Sequence, residues 1–354
     1  MEPFVYQALS QRVVFGSGTL AGAGDEIDRL GAKRALVLTT RQQAESGRVL
    51  AQGLGRLCIG TFAGAVMHTP TEVTETAMEL VRSSGADCVV SLGGGSTTGL
   101  GKAIALRTDL PQIVIPTSYA GSEATPILGE TADGKKTTQR SPKILPEVIL
   151  YDIDLTLTLP VGLSVTSGMN AVAHAVEARY TQERNPLISL LALEGIRALG
   201  SALPLIAANP TDKFARSDAL YGAWACGTCL GSVGMALHHK LCHVLGGSFD
   251  LPHAETHTVI LPHAVAYNEA AARAQLSPVA EVLGSSSAAA GLSALEQKLN
   301  APMTLKQIGM PYEGLDKAAD EAAANPYWNP RPIDRARIRL LLEDAYEGRP
   351  PRLD

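Results

Sequence analysis

Cys88-Val89-Val90-Ser91-Leu92-Gly93-Gly94-Gly95-Ser96-Thr97-Thr98 runs from an apolar segment through three glycines into a stretch, 98–106, with helical spacing. A short apolar run that stops at a turn reads as a strand buried on both faces, the kind a parallel sheet makes. Glycines at its end let backbone N–H groups approach a phosphate, and the helix that follows adds partial positive charge at its N-terminus. Gly93, Gly94, Gly95 and Ser96 are therefore the candidate cradle for a pyrophosphate. The loop is not a Walker A loop: counting back from Gly101-Lys102, the required first glycine falls on Ser96 and the required Ser/Thr on Ala103. Nor is it the G-x-G-x-x-G fingerprint, and taken alone a strand–GGGS–helix unit serves equally as a tight structural turn.

Outward from this unit the chain alternates. Residues 13–15, 35–38, 57–62, 113–115 and 148–151 read as strands, and 20–30, 45–54, 71–83 and 98–106 as helices, with Val73, Ala77, Leu80 and Val81 on one face of the third. Such alternation builds βαβ units and a largely parallel sheet. A hairpin is expected around Asp133-Gly134. After Pro160 almost everything to residue 345 is helical, clearest over 171–180, 187–203, 217–230, 259–274 and 335–346. The expected architecture is an α/β domain with a parallel sheet over 1–157 and an all-helical domain over 158–354. The small-residue stretch 285–291 reads as a joint between helices rather than a linker.

At 354 residues the chain suits two domains of roughly 150 residues each. Lys plus Arg is 30 against 35 Asp plus Glu, the net charge is −5, and no Lys/Arg run exceeds two, which argues against a nucleic-acid partner. With 45% apolar and 18% charged residues, disordered and fibrous classes are excluded. Met1-Glu2-Pro3-Phe4 has no basic segment leading into an apolar one, and no stretch reaches 18 uninterrupted apolar residues, so a cytoplasmic chain with no membrane partner is expected. Five cysteines argue against a disulfide framework. Cys226-Gly-Thr-Cys229, with Cys242 as a conceivable third ligand, lies in an apolar helical stretch with no second CxxC, and reads as core thiols.

Histidine is unevenly spread. Of eight, six fall between 238 and 263: His238, His239, His243, His253, His257 and His263. His239 and His243 are four apart, as are Asn170 and His174, so each pair shares one helix face. Any one of these histidines could be an ordinary core or surface residue; so dense a set, downstream of a phosphate loop, reads as a site.

The GGGS turn, Ile115-Pro116-Thr117-Ser118, Asn170-x-x-x-His174, and His239-x-x-x-His243 followed by Leu245-Gly246 and Pro252-His253 together resemble the iron-containing (group III) alcohol dehydrogenase superfamily, in order and over nearly the whole chain. Within it, residues 93–100, 116–123, 167–178 and 252–257 resemble the maleylacetate-reducing branch. The resemblance implies a nucleotide-binding α/β domain, a helical domain, a cleft between them, NADH or NADPH, and a homodimer. It puts Thr117, Ser118 and Ser122 near the pyrophosphate or nicotinamide, Thr40 at the end of the second nucleotide-contacting strand, and Lys136 near a ribose. The superfamily's iron or zinc is held by an Asp and three His. His174, His239 and His253 match the histidines, but the Asp position is Asn170, so no metal is expected. The Asp that commonly follows GGGS is Gly99, and the acid that disfavours a 2′-phosphate is Thr40.

The implied reaction is reduction of maleylacetate to 3-oxoadipate in the breakdown of aromatic compounds. Hydride addition to the far alkene carbon leaves an enolate whose oxygen needs stabilising and whose α-carbon needs a proton, work that hydrogen-bond donors can do. His243 and His253 are the candidates for it. His174, His239, Asn170 and, less specifically, His68 would receive the carboxylates of this small dianion. The alternatives are a metal-dependent alcohol dehydrogenase, which needs an anionic ligand where Asn170 stands; a lyase resembling dehydroquinate synthase, whose acidic zinc ligation and basic phosphate contacts are not evident; and a nonenzymatic nucleotide sensor, which leaves the histidines unexplained.

Overall fold

The computed structural model describes residues 3–132 and 135–353, with the side chains of Lys135 and Lys136 outside that description. It divides into two compact units, residues 8–159, and residues 160–353 together with 3–7.

The first unit carries six parallel strands, β1 (Arg12–Gly16), β2 (Ala35–Leu38), β3 (Cys58–Phe62), β4 (Cys88–Gly93), β5 (Gln112–Pro116) and β8 (Val148–Asp152), in the order β1-β8-β5-β4-β2-β3. The apolar runs are the central strands: β2, β4 and β5 are buried throughout, while the edge strands β1 and β3 are part-exposed. Side chains alternate across the sheet. Ala35, Val37, Cys88, Val90 and Leu92 pack with Ala23 and Ile27 of α1 (Ala23–Arg29) and Leu50 and Leu54 of α2 (Ala44–Leu54). On the other face Leu36, Leu38 and Val89 meet Ala77, Met78 and Val81 of α3 (Thr71–Ser84) and Leu100 and Ile104 of α4 (Gly95–Thr108). Strands β6 (Ile127–Ala132) and β7 (Lys135–Arg140) form the expected hairpin, antiparallel in register from Ile127↔Arg140 to Ala132↔Lys135. Its turn, Asp133-Gly134, lies outside the described residues.

From β2 the chain passes outward to β3 on one side, and from β4 to β5 on the other. Between the carboxyl ends of β2 and β4 the winding therefore reverses, the place where open parallel sheets hold their ligands. Thr40 follows one of these ends and the GGGS turn follows the other.

The helical unit holds α5 (Val161–Tyr180), α6 (Pro186–Ala208), α7 (Lys213–Ser232), α8 (Leu237–Phe249), α9 (His253–Asn268), α10 (Arg273–Val282), α11 (Ala288–Lys298), α12 (Gly314–Ala324) and α13 (Arg335–Glu347). The division falls between Leu159 and Pro160, not at 157/158, because a short turn after β8 stays with the sheet, capped by Asp152 and closed by the Leu159 N–H on the Thr156 carbonyl at 3.0 Å. Residues 3–7, read with the α/β part, belong to the helical unit.

Helix α5 begins ten residues before the 171 read from periodicity. Ser164, Thr166 and Ser167 make that stretch look like a loop, but each hydroxyl donates to the carbonyl four residues back, at 3.0, 3.1 and 2.5 Å, and so goes into the core already satisfied. Helix α9 spans His253–Asn268 rather than 259–274, and the stretch 269–272 separates it from α10. Helix α6 is long and apolar enough to cross a membrane, yet packs along α5 and α7 as core helices do. Cys226 and Cys229 are free, buried thiols on α7.

Candidate active site

In the α/β unit the glycines of 93–95 differ in what they permit. A Cβ on Gly93 would lie 2.4 Å from Thr97 Oγ1 and 2.7 Å from Gln43 Oε1, and one on Gly94 2.9 Å from Ser118 Oγ. One on Gly95 meets nothing within 4 Å. Gly93 and Gly94 thus let neighbouring loops close in, while Gly95 opens the first turn of α4, which has no side-chain cap and whose first N–H groups have no partner within the helix. Anion binding is the ordinary use of such an end.

The loops around it are tied together. Thr117 N–H donates to the Gly93 carbonyl at 3.0 Å, and Gln43 Nε2 donates to Thr117 Oγ1 at 2.9 Å. Thr40 Oγ1 lies 3.5 Å from Gln43 Oε1, so Gln43 links the ends of β2 and β5. The sequence reading passed over Gln43, which carries no motif of its own. Ser122 Oγ is buried with no protein partner. Ser96, Thr117, Ser118, Ser122 and Thr40 all stand at this carboxyl edge of the sheet or on the loops leaving it; the Lys136 side chain is outside the described residues.

An Asp at Gly99, the superfamily's usual residue there, would bring its Cβ to 2.4 Å from Thr69 Oγ1, so that side chain would have to shift. Thr69 and His68 both hold left-handed backbone, φ 46° and 66°, a costly conformation for residues with a Cβ. His68 belongs to the α/β unit, and the other histidines to the helical unit.

Those histidines gather in the helical unit. α5 carries Asn170 and His174, α8 carries His238, His239 and His243, and α9 carries His253 and His257. The His174 ring is 5.1 Å from that of His239 and 6.3 Å from that of His257; His253 and His257 are 4.3 Å apart, and His239 and His243 6.2 Å. His174, His238, His239 and His257 are buried, whereas His243 and His253 are part-exposed. Burial, with the neighbouring imidazoles second, holds His174 and His257 well below the ordinary histidine range, and His238 is lowered to about 4. His263, sixth in the run, lies elsewhere, lining a cavity of 410 Å³ with Tyr267, Arg331 and Asp344.

Organising this cluster is Glu177, a residue the sequence reading did not single out. It follows Asn170 and His174 at seven and three residues, on the same face of α5. Its carboxylate, fully buried, accepts from the N–H groups of Ala236, His238 and His239 at 2.9, 2.8 and 3.4 Å, and from His239 Nδ1 at 2.7 Å. Against a desolvation that would raise it, His239 and the backbone donors bring Glu177 down to about 2. It is an anion at any working pH, so His239 Nδ1 carries a proton and donates it. The signal available in the sequence was its spacing from Asn170 and His174.

His239 Nε2, His174 Nδ1, Asn170 Oδ1 and both nitrogens of His257 are buried and have no protein partner. Groups left this way in a core point to a ligand. His243 Nδ1 is 2.9 Å from Tyr327 Oη. For a divalent ion the set is poor. The donor atoms that come within 4.8 Å of one another among the described residues belong to His238, His239 and His257, not to the superfamily's positions, and His238 Nε2 is already 2.9 Å from the His257 carbonyl. Asn170 is neutral and Glu177 is engaged by five donors, Tyr180 Oη at 3.2 Å among them, so the set lacks the free anionic oxygen of the superfamily's Asp-and-three-His site.

Comparison with known proteins places this geometry. Residues 10–153 match the family model for iron-containing alcohol dehydrogenase, and residues 164–346 match that for the Fe-containing alcohol dehydrogenase family, C-terminal. The chain is 59% identical over 351 residues to a maleylacetate reductase of Rhizobium sp. (strain MTP-10005), covering 99% of this chain and 100% of that protein. It is 54% identical to a maleylacetate reductase of Burkholderia cepacia, covering 98% and 99%. The crystal structure of a maleylacetate reductase from Agrobacterium tumefaciens superposes with a TM-score of 0.96 at 60% identity, over 99% of this chain and 100% of that one.

Proposed function

The chain belongs to the iron-containing alcohol dehydrogenase family, and on that premise we infer that it reduces the conjugated C=C of maleylacetate to 3-oxoadipate with NAD(P)H. It is an oxidoreductase. The observation that carries the reading is the cluster of imidazoles with Asn170 where the family has an acid, and with buried nitrogens unpartnered on His174, His239 and His257.

A bound nicotinamide supplies the hydride. The residues named here must do the rest: bind a dianion, hold the enolate oxygen and deliver one proton to its α-carbon, so that substrate, NAD(P)H and H⁺ give product and NAD(P)⁺. His243 and His253 are proposed for the proton and the enolate, and their part-exposure supports this, since a donor must be recharged from solvent each turnover. His174, His239 and Asn170 are proposed to receive the carboxylates, with His68 of the α/β unit a weaker candidate. Gly93, Gly94, Gly95, Ser96, Thr117, Ser118 and Ser122 are proposed to hold the nucleotide, Thr40 and Lys136 its adenosine ribose.

Metal-free operation is part of the proposal. An Asp about 6 Å from a substrate carboxylate would repel it by roughly 3 kcal/mol at an effective dielectric of ~20, which a divalent cation would offset. Asn170 removes both the repulsion and the ligand. A homodimer acting in the cytoplasm completes the reading. The test is NADH oxidation on adding maleylacetate, with simple alcohols as control and after exhaustive chelation. Turnover on alcohols, or turnover lost on chelation and restored by iron or zinc, would favour the metal-dependent alternative.

A further inference from the structure

Lys102 follows Gly101 in α4, and its ammonium is nearly inaccessible, 1% exposed. Seven residues beyond Gly95 it stands about 10 Å along the helix from the phosphate-binding end, too far down to serve as a P-loop lysine. Its Nζ instead faces the segment that leaves β5, donating to the carbonyls of Ser122, Thr125 and Ile127 at 2.5, 2.7 and 2.9 Å, with Thr125 Oγ1 also at 2.9 Å. An ammonium has three N–H groups, and here all are turned on one loop. Glu123 in the same loop is buried too. Its carboxylate accepts from Tyr151 Oη at 2.8 Å on β8, and its carbonyl from Gln11 Nε2 at 3.0 Å. Burial brings the lysine down to about 7, partly countered by Glu123. So costly a buried cation needs a reason, and a packed apolar side chain would serve the core better.

The loop it fixes carries Ser118, which lies against Gly94, and Ser122, whose hydroxyl is buried without a protein partner. We propose that Lys102 is a positioning residue for the coenzyme. Its ammonium, caged by the Ser122, Thr125 and Ile127 carbonyls, holds the 117–127 loop so that Ser118 and Ser122 are in place at the cradle when the nucleotide arrives. This rests on the reading of residues 93–96 as the nucleotide cradle.

The test is NADH titration of the full-length chain by nucleotide fluorescence, with kcat and both KM values, for Lys102→Met, Gly94→Val and Thr125→Val. Lys102→Met should weaken NADH binding about tenfold or more, from loss of charge-assisted bonds, while the KM for maleylacetate and kcat at saturating NADH stay within about twofold. A residue that only supported the fold would lower the melting temperature and the active fraction, leaving the folded fraction's affinity unchanged. Folded Lys102→Met that binds NADH like the parent, while Gly94→Val does not, overturns the proposal and spares the cradle. If Gly94→Val also binds normally, the cradle reading fails and the proposal with it. Should Lys102→Met not fold, Thr125→Val removes one acceptor and should weaken NADH about threefold; unchanged binding there overturns the proposal as well.

Discussion

Replacing Glu177 by Gln tests whether a single buried carboxylate organises the histidine cluster. The carboxylate lies at about 2 in the folded chain against an ordinary 4.5, a difference worth about 3 kcal/mol of stability. The sign follows from the depressed value: the stabilisation is complete above 4.5 and is lost as pH falls through 4.5 toward 2. By pH 3, about 2 of those 3 kcal/mol should be gone. Independently, Gln keeps one acceptor and turns an amide N–H toward the donors of Ala236, His238 and His239, leaving buried N–H groups unpaired at roughly 1–3 kcal/mol each. Both routes give a loss of about 3 kcal/mol at pH 7. Urea unfolding can follow it, because both tryptophans, Trp224 and Trp328, lie in the helical unit with Glu177. The gap between parent and variant should be full at pH 7 and clearly narrower at pH 4. With His239 no longer oriented, kcat/KM for maleylacetate should fall about 100-fold. Coincident unfolding curves at pH 7, with an unchanged slope, would refute the argument.

Gly99→Asp should cost about 1–3 kcal/mol, read as a lower melting temperature of the nucleotide-free protein, because its Cβ meets Thr69 Oγ1; Thr69→Ala in the same chain should recover part of it. NADH and NADPH should both be used, since Thr40 can bond a ribose hydroxyl but cannot repel a 2′-phosphate; a preference beyond roughly a thousandfold, about 4 kcal/mol, in kcat/KM would show that another residue selects. Asn170→Asp should bind iron or zinc more tightly, by metal analysis, and turn over maleylacetate more slowly. Burial pushes the Cys88 and Cys229 thiols up to about 12 and Cys226 well above its ordinary value, so a thiol reagent at pH 8 should find Cys58 in the native protein and all five cysteines after unfolding.

Read alone, the sequence determined the alternation of strands and helices, the change of texture after 155 and the glycine turn from β4 into α4. These are local: apolar period, chain punctuation and a glycine run act within a dozen residues, and tertiary contacts reinforce them. It also fixed two i, i+4 pairs as helix faces, and Asn170 in place of an acid. What it could not supply was which faces meet. Six histidines in one stretch read as one set, yet only the packing of α5, α8 and α9 brings His174 to His239 and leaves His263 at another surface. His257 was counted in the set but given no role, and Glu177 was passed over, because their weight lies in burial and in missing or crowded partners, which no spacing reveals. The same holds for Gln43 and Lys102, ordinary residues until the ends of β2, β4 and β5 are set side by side. The early start of α5 was hidden because a serine's hydroxyl is polar in the sequence but satisfied by its own helix in the fold. Periodicity reports a helix; only three-dimensional packing decides what a buried charge or an unpartnered nitrogen is there to meet.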